Sequence, residues 1–179
     1  MPGNRKLLIQ QLQENLVPAL IARGFQQLPL SERDGKSRDM VSMLPLGYLK
    51  RQRDGNLDIV EIQIHPRRMA FVIGFGTAPP EGVILPWAKL AQTEVGVSSL
   101  AENCRLYANR RFMTWFGSAW TSFYKDQSRH AIESIQKAVS LLPELDEYFG
   151  RGAVGPHIKC VCQVIDPTSG QLKSSIRSS

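Results

Sequence analysis

The chain has 179 residues, 42% hydrophobic and 21% charged, which suits one soluble domain with a sizeable core. Its 22 basic and 16 acidic residues leave a net charge of +6, spread along the chain rather than gathered in one run, so this basic protein reads as a solvated surface. No apolar run approaches the roughly 18–20 residues that span a bilayer. Gln10, Gln11 and Gln13 break up any signal-peptide core, so no membrane partner and a cytoplasmic location are expected.

In chain order, Asn4 to Gly24 reads as a helix, with Leu8, Leu12, Leu16 and Leu20 recurring every four residues on one face. Asn4 suits an N-cap and Gly24 a left-handed C-cap, while Pro18 should kink or split the helix. Residues 29–39 are polar and read as a loop, Met40–Arg53 as extended chain broken at Pro45, and Asp54-Gly55-Asn56 as a turn. Leu57–His65 and Met69–Thr77 alternate with period two and predict an antiparallel hairpin at the centre of the sheet. Gly74 and Gly76 leave gaps on the face opposite Phe71, Ile73 and Phe75, where another element can approach closely.

Pro86 is expected to open a short helix through Glu94. Cys104–Ala108 reads as a strand with 111–116 as its partner. Asp126 then caps a helix whose apolar face is Ile132, Ile135, Val139 and Leu142, with a break at Pro143 and a last helical turn ending at Gly150. Ile158–Ile165 predicts a short strand, and the remainder a mobile tail. The fold class expected is α+β: an antiparallel sheet of about four to five strands with the N-terminal and C-terminal helices on one face. Residues 1–152 would form the domain and 153–179 a C-terminal extension.

Three cysteines make a poor disulfide framework, and His157-x-x-Cys160-x-Cys162 lacks the spaced pairs of a zinc site. They are expected to act as small apolar residues, with no metal and no cofactor bound. The three histidines are scattered and no Gly-x-Ser-x-Gly accompanies them, which leaves no nucleophilic set.

One acidic arrangement merits weighing. Metal-dependent nucleases of the PD-(D/E)xK type hold Mg²⁺ between two carboxylates on neighbouring strands. Asp58, Glu61 and Gln63 have part of that pattern, since positions i and i+2 share a strand face. Asp58 and Glu61, however, are three apart and point to opposite faces. The preferred reading is a hairpin whose Ile59-Glu61-Gln63-His65 face meets solvent.

The richest segment is residues 107–125, where Tyr107, Phe112, Trp115, Phe116, Trp120, Phe123 and Tyr124 are interleaved with Arg110, Arg111 and Lys125. Most of these rings are expected to pack in a core between the sheet and the second long helix, where all three tryptophans fall. Arg110, Arg111 and Trp115, with Arg67 and Arg68, are the expected binding residues, because arginine and aromatic side chains dominate interface hot spots.

The order ARGF (22–25), VEIQI (60–64), FVIGFG (71–76), CRLYANRR (104–111) and LLPELDEYF (141–149) resembles a bacterial family known as domain of unknown function 4304. That resemblance spans about residues 5–150, implies a fold and brings no catalytic residue. The function expected is a non-enzymatic protein-binding module, with bacterial defence or toxin neutralisation as its setting. The alternative is a metal-dependent nuclease or nucleic-acid-binding protein using Asp58, Glu61 and the central arginines.

Overall fold

The computed structural model describes residues 2–117, 127–165 and 172–177. Helix α1 (Pro2–Gln11) passes into a π-helical turn (Leu12–Leu16) and then α2 (Val17–Ile21). Pro18 explains the wide turn. It has no N–H for the Glu14 carbonyl and its ring would clash there, so the backbone opens and Val17 N–H donates to Leu12, five residues back. The expected kink is thus absorbed inside a continuing helix. The helix starts at Pro2, which places Asn4 within it rather than at its cap, and Gly24 closes it at φ 87°.

Strand β1 (Gln26–Leu28) leads to α3 (Glu32–Gly35) and α4 (Arg38–Met43). These short helices replace the loop and extended chain expected there, because Ser31 and Ser37 accept from the amides of Asp34 and Met40 as N-caps. Strands β2 (Tyr48–Arg53), β3 (Asn56–Ile64) and β4 (Phe71–Ala78) follow. Next come a small hairpin, β5 (Val83–Leu85) and β6 (Ala88–Leu90), two 3₁₀ turns (Gln92–Glu94, Val97–Ser99) and β7 (Glu102–Leu106). Pro86 and Trp87 are the two-residue turn of the β5–β6 hairpin, not the start of a helix. After α5 (Gln127–Ser140) and α6 (Leu142–Arg151), β8 (Ile158–Ile165) and β9 (Leu172–Arg177) complete the chain. Part of the expected tail therefore pairs as a strand.

The main sheet has seven strands in the order β1-β2-β3-β4-β7-β8-β9, every neighbour antiparallel. The fold is α+β as the pattern predicts, with more strands and with β3 and β4 near the centre. One face carries Leu49, Val60, Ile62, Ile64, Phe71, Ile73 and Phe75 against Leu8, Leu12, Leu16, Leu20, Ile135 and Phe149 of the helices. Of the expected apolar face, Ile135 and Leu142 are buried and Val139 packs partly against the core; Ala131 and Ala138 complete the stripe, and Ile132 is exposed. No helix among the described residues is long and apolar enough to cross a membrane.

The second face is covered as well. Leu57, Ile59 and Ala78 pack with Leu90, Val95, Val97 and Leu100 from the β5–β6 hairpin and the 3₁₀ turns. Gly76 makes room for this cover, since a side chain there would overlap Leu100. Every residue from Leu57 to Ile64 is consequently buried, so β3 has no solvent face.

Candidate functional site

Asp58 lies on the helix-covered face of β3. Its register partners are Arg51 on β2 and Thr77 on β4. The fully buried carboxylate accepts from Arg51 Nη2 at 2.9 Å, Arg53 Nε at 3.0 Å and Thr77 Oγ1 at 3.1 Å. Arg51 also donates to the Arg23 carbonyl at 2.8 Å and stacks over Phe25 and Phe149. The acid thus ties the end of α2 and the side of α6 to the sheet.

Glu61 and Gln63 project from the opposite face, beneath the 3₁₀ turns. Glu61 is 1% exposed and accepts from Val97 N–H at 2.7 Å and from Gln63 Nε2 at 3.0 Å. The approach at Gly96 is close: a Cβ there would lie 3.2 Å from Glu61 Oε1 and 3.4 Å from the Tyr48 hydroxyl. On β2, Tyr48 donates to Asp34 Oδ2 at 2.5 Å, and Lys50 donates to the carbonyls of Thr93 at 2.7 Å and Val95 at 3.0 Å.

Burial pushes the Glu61 carboxyl up, and the Val97 and Gln63 hydrogen bonds only partly offset it. Burial likewise pushes Lys50 down against the attraction of Glu61 and Asp34. The two opposite shifts share one cause: loss of water outweighs mutual attraction. At Asp34 desolvation is the largest single effect and acts upward, yet the bonds from Arg33, Tyr48 and Ser31 together outweigh it and hold the carboxyl below its ordinary value.

Among the described residues, no buried side-chain nitrogen or oxygen lacks a hydrogen-bond partner. Glu61 and Gln63 therefore do not face solvent, which corrects the sequence reading. Asp34, Tyr48 and Lys50 join this cluster without any sequence signal of their own. Period two along β2 places Tyr48 and Lys50 on one face, but nothing in their own pattern says that face is covered. Asp58 and Glu61 cannot both reach one ion from opposite faces of a strand, so the carboxylate pair of the nuclease pattern is not assembled by these residues.

The end of the sheet beyond Ile64 is arranged differently. Two loops meet there, 65–70 and 109–117. Phe71 and Phe116 exchange both backbone hydrogen bonds, at 3.0 and 2.9 Å, and their rings stack at 5.1 Å. Trp115 lies edge-on to His65 at 5.4 Å. Gly117, at φ 83°, backs onto the Met69 carbonyl, and any side chain there would overlap it. These contacts bring the loop holding Arg67 and Arg68 against the loop holding Arg110, Arg111 and Trp115, so the five expected binding residues come from one end of the molecule.

Arg67, Arg68 and Arg111 are exposed, and no carboxylate among the described residues forms an ion pair with them. The Arg111 guanidinium lies over the Phe112 ring at 5.7 Å, and Phe112 is 70% exposed with Met113 beside it. Lys159 Nζ reaches Met113 Sδ at 3.0 Å. Desolvation first, then the charges of Arg68 and Arg67, push the His65 imidazole below its ordinary value of 6.5.

The expectation for the aromatic segment holds in part. Tyr107 and Phe116 are buried, Phe112 is not, and Trp120, Phe123 and Tyr124 lie outside the described residues. The 111–116 partner strand is absent, replaced by a turn bridged at Asn109 and Thr114. Trp87 is 69% exposed at the hairpin tip rather than packed between sheet and helix.

Two cysteines also depart from expectation. Cys104 and Cys160 face each other across β7 and β8 and form a disulfide. Cys162 is free, directly opposite Glu102. His157 belongs to a different contact: its Nδ1 lies 2.6 Å from Glu144 Oε1 and its amide donates to Glu144 Oε2 at 3.0 Å.

Compared with known proteins, the chain matches no family model, no curated protein and no solved structure. The resemblance drawn from its motifs rests on those motifs alone.

Proposed function

We propose that this protein is a non-enzymatic binding module whose working surface is the sheet end built from residues 65–70 and 109–117, and whose partner is an acidic surface of another protein. The observation that carries the reading is the exposed Phe112 ring beside Arg111, on a loop locked against the one that presents Arg67 and Arg68. Exposed arginines around a large apolar side chain have the composition of an interface hot spot, in which the ring supplies buried area and the guanidiniums pair with carboxylates. The interlocked backbone of the two loops supports the same reading, since a surface already in its bound shape loses little freedom on association. Closure of the β3 polar groups adds support from the other side: they are committed to the fold.

The test is arginine-selective labelling with phenylglyoxal, comparing the purified protein with the protein in fresh extract of its own host. Arg67, Arg68, Arg110 and Arg111 should be protected in the extract, with Arg151 on α6 labelled equally in both. Equal labelling of all five would refute the proposal. Protection abolished by nuclease treatment would replace the protein partner with nucleic acid.

A further inference from the structure

We infer that Cys104, Cys160 and Glu102, completed by Cys162, form a binding site for a thiophilic divalent cation such as Zn²⁺, opened by reduction of the Cys104–Cys160 disulfide. The register of β7 on β8 sets Cys104 against Cys160 and Glu102 against Cys162. Since positions two apart share a face, the four side chains make a two-by-two array on one side of one strand pair. A carboxylate oxygen of Glu102 and the two sulfurs of Cys104 and Cys160 already lie within 4.8 Å of one another.

Soft thiolates with one carboxylate are a zinc-type donor set. Cys162 lies outside that 4.8 Å group, and rotation of its side chain toward it would supply the fourth ligand of a tetrahedral ion. With Zn–S bonds of about 2.3 Å, two ligating sulfurs sit about 3.8 Å apart, which cross-strand neighbours reach by side-chain rotation once the S–S bond is gone. Cys104 and Cys160 are buried in the core, and the outer half of the array lies nearer solvent. Glu102 lines a cavity of about 430 Å³ with Thr77, Leu100 and Tyr148, and Cys162 is only partly buried.

The chemistry balances with a dithiol reductant. The reductant gives two electrons and two protons to the Cys104–Cys160 bond and leaves as its own disulfide. The cation then displaces the thiol protons to solvent, one per cysteine that ligates. A two-electron thiol oxidant such as diamide reverses this: it takes up the two electrons and, from solvent, two protons, the two sulfurs rejoin, and the ion loses two of its ligands. Metal loading is therefore set by the redox state of the pair.

Cobalt(II) provides the direct probe, since thiolate ligation produces a sulfur-to-metal charge-transfer absorption. Reduced full-length protein should take up one equivalent of Co²⁺ with that absorption, Zn²⁺ should bleach it, and the diamide-oxidised protein should show none. Cys104→Ala should abolish it. Because that change falls in the core, Glu102→Gln and Cys162→Ala at the rim provide the second arm, each weakening Co²⁺ binding by more than about tenfold with unchanged circular dichroism. A reduced, folded protein with three titratable thiols and no charge-transfer band would overturn the inference. So would equal uptake by the oxidised and reduced forms, or rim variants that bind as tightly as wild type.

Discussion

On β3, Asp58, Glu61 and Gln63 are buried and bonded, whereas one residue beyond the end of that strand begins a loop whose two arginines are exposed, with no ion pair to a carboxylate among the described residues. Both regions concentrate polar groups. In the first, each group is met by a residue that the register or a close-packed turn delivers: Arg51 and Thr77 for Asp58, Val97 and Gln63 for Glu61. In the second, the backbone is held firmly, through Phe71 and Phe116, but the side chains at the rim are left to solvent. A buried charge that is already paired stabilises one conformation. An exposed one on a rigid frame is available to something else.

The largest effect that would break this contrast is at Asp58. Asp58→Ala should lower unfolding free energy by about 3–5 kcal/mol in urea titration, because it leaves Arg51 and Arg53 partly buried and facing each other. A loss below about 1 kcal/mol would mean that the carboxylate is not what holds that face together. Gly117→Ala comes next, with an expected cost of about 1–3 kcal/mol and a disordered 65–70 loop in amide exchange. The new Cβ meets the Met69 carbonyl and the positive φ is unfavourable.

Glu61→Gln should be smaller and dependent on pH. The amide can still accept from Val97, so below the ordinary carboxyl value of 4.5 the variant should match wild type within about 1 kcal/mol. Because the folded value of Glu61 is raised, the folded protein holds its proton more readily than the unfolded chain. Its contribution is complete below the unfolded value and is lost as pH rises through the folded one. Wild type should therefore weaken relative to Glu61→Gln as pH rises from 4.5, and denaturation curves across that range decide it.

The smallest effect is at His65. Desolvation and then the charges of Arg68 and Arg67 lower the imidazole; an anionic partner over the two arginines offsets the second of these, so binding should take up a proton and strengthen by no more than about tenfold from pH 8 to 6. The shift is visible in its ring-proton resonances.

The two regions were unequally legible in the sequence. The β3–β4 hairpin followed from period two, and β8 was readable from the bounded run of Ile158–Ile165. The cover over the second face was not, because residues 83–99 build it from three-residue strands and single 3₁₀ turns, too short for any period to emerge. Without that cover, Glu61 and Gln63 read as solvent-facing. The β5–β6 turn carries Pro86 and Trp87 in place of the glycine or asparagine that usually marks a two-residue hairpin. The Cys104–Cys160 contact depends on the pairing of β7 with β8 across 56 residues, which local pattern does not encode. The arginines of the sheet end were readable as residue types, but that Phe71 and Phe116 join their loops is a tertiary fact.

The most direct test of the contrast is native mass spectrometry of three proteins purified gently from the host: wild type, Glu61→Gln, and the threefold alanine variant at the exposed Arg67, Arg68 and Arg111. Wild type and Glu61→Gln should carry the same stoichiometric second polypeptide, and the arginine variant should be bare while keeping its melting temperature. The account is contradicted if no second polypeptide accompanies wild type, if the arginine variant retains it, or if wild type instead carries nucleic acid or Mg²⁺ that the Glu61 variant loses.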